Sequence, residues 1–190
     1  MSADNGCVDD LQCSGLFDTG TTNQTLGDEF VKYIKVAKNC GNATGQGCWA
    51  TNIDDYYDGT LGSHRNFDAD TRYKFVTIDG ISIMIINAAN NCGSDWSLGE
   101  LRYMSQTCGI IFFDVNGIKE PNNFGRDIFE FYITNGHGAL LYPAGGSNDN
   151  YQNVNHWWNN PNLKRCSDNS DKAGWNCTGR IMEQGWVMDY

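Results

Sequence analysis

The sequence predicts an α+β domain in which an N-terminal amphipathic helix packs on an antiparallel sheet of four to five strands, followed by a disulfide-closed C-terminal region. Three observations predict it: apolar residues at helical spacing near the N-terminus, strand-like alternation between turn signals in the middle, and a late stretch rich in Gly and Asn. With 190 residues, 40% of them hydrophobic, a single domain spanning 1–190 can bury a core. The apolar face of the helix needs a partner, and the sheet is the largest apolar surface that the sequence predicts.

The helix is predicted over residues 25–39. Thr25 can cap its N-terminus, and Asp28 follows in the first turn, where a carboxylate is favourable. The apolar residues that share one face recur at intervals of three and four: Phe30, Tyr33, Ile34 and Ala37. The helix is expected to end near Asn39, just before Cys40-Gly41.

The sheet is predicted within residues 73–142, after a connecting loop at 41–72 that is rich in Gly, Asn, Asp and Thr. Two hairpins are expected in it. Asp79-Gly80 lies between the first two predicted strands and Asn135-Gly136 between the last two, and both dipeptides tolerate the positive φ of tight turns. Residues 143–190 are predicted to form a C-terminal loop region.

A polar loop between two predicted strands, 114–127, is the strongest candidate for a binding site. Oxygen-bearing side chains of the type that Ca²⁺ prefers occur along it, and four are the predicted metal ligands: Asp114, Asn116, Asn122 and Asp127. Gly117 permits a tight backbone turn there. The alternative is an ordinary pair of turns in which the Asn and Asp side chains bond only to their own backbone.

The cysteines indicate an oxidising compartment. Their number is even, and no Cys-x-x-Cys spacing of the kind used by zinc and redox centres occurs. Pairing of neighbours in the sequence would give Cys7 with Cys13, Cys40 with Cys48, Cys92 with Cys108, and Cys166 with Cys177. Each such short loop would stabilise the fold by roughly 2–3 kcal/mol. We therefore expect an exported protein, located outside the cell or at its surface.

Charge and motifs exclude several functions. A formal net charge of -10 disfavours a nucleic-acid partner, because phosphate binding needs a basic face, whereas Ca²⁺ or simple solubility fits the acidity. The sequence contains no His-x-x-x-His, no Gly-x-Ser-x-Gly and no phosphate-binding glycine loop, so we expect no enzyme. Trp157 and Trp158, among Asn residues, could stack on sugar rings, which makes a secreted carbohydrate-binding or adhesive module the alternative function.

Several segments together resemble the globular head of type IV pilins and of type II secretion pseudopilins. The resemblance runs from Phe17 to Tyr190, and these segments carry it: Phe30–Ile34 leading into Lys38-Asn39-Cys40, Asp114–Gly117 with Pro121-Asn122, Gly125–Phe129, and Cys177 before Ile181 and Gly185-Trp186. Such proteins begin with a basic leader and a long hydrophobic helix, whereas the residues after Met1 are polar. We expect that Met1 replaces that segment.

The resemblance implies a non-catalytic structural subunit of an extracellular filament, either a type IV pilus or a type II secretion pseudopilus. Its partners would be other pilin or pseudopilin subunits. It would meet a membrane only through the missing N-terminal helix, which sits in the inner membrane before assembly. Some pseudopilins hold Ca²⁺ in a loop beside the sheet, and the 114–127 loop is similar in composition and placement.

Overall fold

A six-stranded antiparallel sheet forms the centre of the protein. The computed structural model describes residues 7, 10–54, 64–95, 102–135, 141–145, 166, 174 and 177–187. Within these ranges the α-helices are α1 (Asn23–Phe30) and α2 (Cys177–Glu183), and short 3-10 helices lie at Asn90–Cys92 and Arg102–Gln106. The strands are β1 (Val36–Gly41), β2 (Ile53–Asp54), β3 (His64–Arg65), β4 (Tyr73–Thr77), β5 (Ser82–Asn87), β6 (Thr107–Asp114), β7 (Ile128–Thr134) and β8 (Leu141–Pro143). The large sheet has the order β1-β4-β5-β6-β7-β8, and β2 pairs with β3 in a separate ribbon. The α+β class is confirmed.

The predicted helix over 25–39 is wrong in its length. Helix α1 ends at Phe30, its cap is Thr22 rather than Thr25, and the Thr22 hydroxyl accepts a hydrogen bond from the Thr25 N–H. The chain then turns and enters β1, which pairs with β4. Tyr33, assigned to the apolar helix face, is 54% exposed. The apolar pattern covers too few residues to establish a helix. Residues 36–41 instead pair with the otherwise free edge of β4 and form a strand.

The sheet is larger than the four to five strands predicted, since β1 adds an edge strand from outside 73–142. The β4–β5 hairpin forms around Asp79-Gly80, with Gly80 at φ 87°. Strands β7 and β8 pair antiparallel as expected, while Gly136 of their predicted turn lies outside the described residues. The connection at 41–72 contains the β2–β3 ribbon, and the C-terminal region contains α2, so neither is a loop throughout.

The two faces of the sheet bury separate clusters, because successive side chains of a strand point to opposite sides. On one face, the fully buried Leu26 of α1 lies in a cluster with Tyr73, Ile85 and Ile111. Gly27 makes this approach feasible, since a Cβ there would lie 2.0 Å from the Tyr73 ring. The other face carries a second cluster, whose members are Trp49, Ala50, Ile53, Phe67, Met84, Phe112, Phe124 and Ile128.

Four disulfides link cysteines that are neighbours in the sequence. They join Cys7 to Cys13, Cys40 to Cys48, Cys92 to Cys108, and Cys166 to Cys177. The last of these closes the C-terminal region onto the start of α2. This number of disulfides indicates an oxidising, extracellular type of environment. Over the ranges given above, no helix is both long and apolar enough to cross a membrane.

Candidate metal centre

The 114–127 loop is closed at its base by the β6–β7 ladder. Asp114, the last residue of β6, lies opposite Ile128, the first residue of β7. The Val115 N–H donates to the Asp127 carbonyl at 2.9 Å, which extends the pairing into the loop. Asp114 and Asp127 are therefore neighbours at this end of the sheet. Their exposed fractions are 0% and 4%, so both carboxyl groups are buried.

The loop backbone folds around the Asp127 carboxylate. Its two oxygens accept the N–H groups of Asn122 at 2.8 Å and Asn123 at 2.6 Å. Asn122 adopts a positive φ of 49°, a conformation that Asn tolerates better than most residues. The Asp114 Oδ1 atom accepts the Asn116 N–H at 3.3 Å. The four predicted ligand residues thus belong to one contiguous cluster.

Burial and mutual repulsion oppose ionisation of this carboxyl pair. Burial raises the pKa of Asp114 to about 8, with a further rise from the Asp127 charge, while N–H groups of Asn116 and Gly117 act in the opposite direction. Burial also raises the pKa of Asp127. Hydrogen bonds from the backbone of Asn123 and Asn122 and from the Asn116 side chain act to lower this pKa, but burial outweighs them. A cation placed between the two groups would relieve both effects, because opposite charge favours the ionised form.

Three of the four predicted ligand residues hold a buried oxygen with no hydrogen-bond partner. These atoms are Asp114 Oδ2, Asn116 Oδ1 and Asn122 Oδ1. A buried acceptor without a partner costs about 1–3 kcal/mol, so three in one cluster indicate a missing partner. Carboxylate and amide oxygens suit a hard cation such as Ca²⁺. The residues present therefore fit the predicted cation, although the described ranges contain no group of three or more His, Cys, Asp or Glu side chains placed to hold a metal.

The far end of the loop packs against the C-terminal disulfide. A Cβ at Gly125, which has φ of 84°, would lie 2.6 Å from the Cys177 sulfur. A Cβ at Gly174 would lie 1.9 Å from the Phe124 carbonyl oxygen. Neither position tolerates a side chain, so the loop and the C-terminal region are in direct backbone contact. No sequence pattern predicts this contact, because it joins segments distant in the chain.

Ser82, which no sequence pattern singles out, also lies beside this cluster. It is the first residue of β5, pairs with Asp114 across the β5–β6 ladder, and has an exposed fraction of 1%. Its hydroxyl oxygen has no hydrogen-bond partner. No motif marks this serine, since its position beside the loop depends on strand register alone.

Two other regions of the chain bear on binding. Trp157 and Trp158, the predicted glycan-stacking residues, lie outside the described residues. An apolar groove of about 470 Å³ lies between β6, β7 and α2, and its lining includes Phe113, Phe129, Phe131, Leu141, Ile181 and Trp186. Trp186 and Leu141 are exposed at 68% and 51%. Exposed apolar surface of this kind is typical of a contact site for another molecule.

Comparison of the chain with protein-family models, with curated proteins and with solved structures gives no match.

Proposed function

We propose that this chain is the non-catalytic head domain of an extracellular filament subunit, of the kind found in type IV pili or type II secretion pseudopili. The observation that carries the proposal is the order of its elements: helix α1, an antiparallel sheet, and a C-terminal segment held by the Cys166–Cys177 disulfide. The sequence resemblance follows the same order. In this proposal α1 packs on the sheet as the helix of a pilin head does, with Leu26 and Gly27 at the contact.

The proposed location is the cell surface, reached after a stage in the inner membrane through a hydrophobic helix preceding this domain. The four disulfides support export, because they form and persist in oxidising compartments. The apolar groove beside α2 supports assembly with other subunits rather than secretion as a free monomer, because exposed apolar surface is typical of a contact site.

The filament proposal is tested on the cells that make the protein. Filaments sheared from the surface should contain this chain by mass spectrometry, and antibodies raised against the domain should label them along their length. Recovery of the chain only as a free monomer in the culture medium would contradict the proposal. If that monomer also bound glycans, and Trp157→Ala abolished the binding, the carbohydrate-binding alternative would take its place.

We propose further that the 114–127 loop binds Ca²⁺ as a structural ion. Asp114, Asn116, Asn122 and Asp127 would hold it, and the ion would neutralise the buried carboxyl pair. The support is the set of unpartnered oxygens at Asp114, Asn116 and Asn122. A ligand that binds only the folded state at about 100 times its Kd stabilises it by roughly 2.7 kcal/mol.

The calcium proposal is tested by thermal unfolding with the disulfides intact. Adding Ca²⁺ to chelator-treated protein should raise the Tm by roughly 5–10 °C at about 100 times the Kd, for a chain of this size. Asp114→Asn should abolish this rise because it removes one of the two charges. Asp70→Asn, which changes an exposed carboxylate elsewhere, is the matched control and should keep the rise. If Ca²⁺ does not change the Tm of the parent protein, the 114–127 loop is an ordinary pair of turns whose side chains bond only to their own backbone.

A further inference from the structure

Ser82 lies beside the loop but belongs to a different strand. In the β5–β6 ladder its direct partner is Asp114. Directly opposed residues of an antiparallel pair project from the same face of the sheet, with Cβ atoms about 4.5–5.5 Å apart. The Ser82 hydroxyl is therefore close to the Asp114 carboxyl group, yet neither Ser82 Oγ nor Asp114 Oδ2 has a hydrogen-bond partner. A buried hydroxyl and a buried carboxyl oxygen that lie side by side without a bond between them both lack the partner that buried polar atoms normally have.

The hydroxyl is directed at the turn that carries Asn116. A Cβ built on Gly117 would lie 3.7 Å from Ser82 Oγ and 2.9 Å from the Gly80 carbonyl oxygen. The missing side chain at position 117 thus lets the loop approach β5 closely. The Asn116 amide oxygen, also buried and without a partner, belongs to the same turn. Oxygens from two separate segments of the chain therefore converge beside Asp114.

A cavity connects this region with the solvent. It has a volume of about 320 Å³ and lies between the β4–β5 turn and the loop, lined by Asp79, Gly80, Ser82, Asn116, Gly117 and Lys119 among others. A buried metal site needs an entry path, and the cavity is lined by Ser82 and Asn116, the residues that carry two of the unpartnered oxygens. A cation would approach the site from the side of this cavity.

We propose that the Ser82 hydroxyl is a ligand of the bound cation, so that the site spans strand β5 and the 114–127 loop. The inference rests on the proposed calcium site and deepens it. Ca²⁺ takes about six to eight oxygens, more than the four loop side chains readily supply, and a serine hydroxyl has lone pairs to offer. With this ligand the ion cross-links β5 to the connection between β6 and β7.

The test is calorimetric titration of Ca²⁺ into chelator-treated protein with intact disulfides. Ser82→Ala should weaken Ca²⁺ binding by about 10-fold or more, because losing even a residue that only supports the metal ligands lowers metal affinity by about 10- to 100-fold. In chelator its Tm should be equal to or higher than that of the parent, because alanine removes a buried hydroxyl that has no partner. Ser94→Ala, at the opposite end of β6, is the control and should change neither quantity.

The outcomes separate the two proposals. Parent protein that binds no Ca²⁺ would overturn the calcium site itself. If the parent protein and Ser82→Ala bind Ca²⁺ equally well, only the role of Ser82 is overturned. The same conclusion follows if Ser82→Ala lowers the Tm as much in chelator as it does in Ca²⁺. Ser82→Thr and Ser82→Val are nearly equal in shape and differ in the hydroxyl. Tighter Ca²⁺ binding by the threonine variant supports the inference even if the alanine variant does not fold, and equal binding by both contradicts it.

Discussion

The buried ion pair between Lys74 and Asp68 gives a sharp test of how the long connection before the sheet is held. Lys74 lies in β4 and has an exposed fraction of 0%, and Asp68 is 5% exposed. The Lys74 ammonium donates to Asp68 Oδ1 at 2.6 Å and to the Ala69 carbonyl at 2.8 Å. The other carboxylate oxygen accepts the Gly45 N–H at 2.7 Å. The pair thus joins β4 to both ends of the connection.

Lys74→Met keeps most of the side-chain volume and removes the charge. It leaves Asp68 buried opposite no cation, and breaking a buried pair in this way costs about 3–5 kcal/mol. Adding Asp68→Asn should recover most of that loss, because the asparagine is neutral and its oxygen can still accept the Gly45 N–H. Urea unfolding with intact disulfides measures the free energies of all four proteins in the cycle.

An exposed ion pair provides the control. Lys32 and Glu29 form a salt bridge one turn apart at the end of α1, with side chains exposed at 58% and 36%. Lys32→Met should cost far less stability than Lys74→Met, because exposed pairs are screened by water and contribute little. If Lys74→Met cost no more than Lys32→Met, or if the double variant lost as much as the two single variants added together, the assignment of Lys74 and Asp68 as a coupled buried pair would be refuted.

Two further predictions concern buried polar groups. In chelator the pKa of Asp114 is about 8 in the folded protein, whereas an ordinary Asp in the unfolded chain has a pKa of about 4. Between about pH 4 and pH 8 the folded protein therefore binds the extra proton, so stability should fall as pH rises through this range and level off above it. Asp114→Asn should flatten this slope in Tm against pH, and an unchanged slope would contradict the assignment. The Tyr73 hydroxyl donates to Asp28 at 2.8 Å and accepts from Asn39 at 2.7 Å, so Tyr73→Phe should cost about 1–2 kcal/mol in urea unfolding. A loss below about 0.3 kcal/mol would show that this network does not stabilise the fold.

Local patterns predicted the part of the candidate site that is contiguous in sequence. Asp114, Asn116, Asn122 and Asp127 lie within one loop, and the strands on either side have clear apolar alternation, so their convergence needed only a β6–β7 hairpin. Ser82 could not be found in this way. Its place opposite Asp114 is a matter of register, and a shift of one residue would turn it to the other face of the sheet.

The errors in the predicted fold, like the missed Ser82, arise from partners that are distant in sequence. Residues 36–41 contain too few apolar positions to distinguish a helix from an edge strand, and pairing with β4 decides between them. Likewise, the contact of Gly125 with Cys177 depends on where the C-terminal disulfide brings α2. Both features are determined by partners distant in sequence, which composition and spacing do not reveal.

The hydrogen bonds that close the base of the 114–127 loop do not involve the residues at its tip. The bonds that hold the base involve Val115, Asn122 and Asp127, whereas Ile118 and Lys119 at the tip are exposed. Lengthening a flexible tip is inexpensive, since each doubling of a loop costs only about 0.6 kcal/mol in closure entropy. A peptide epitope or a fluorescent label inserted between Ile118 and Lys119 would be displayed at the surface while the carboxyl pair below keeps its arrangement.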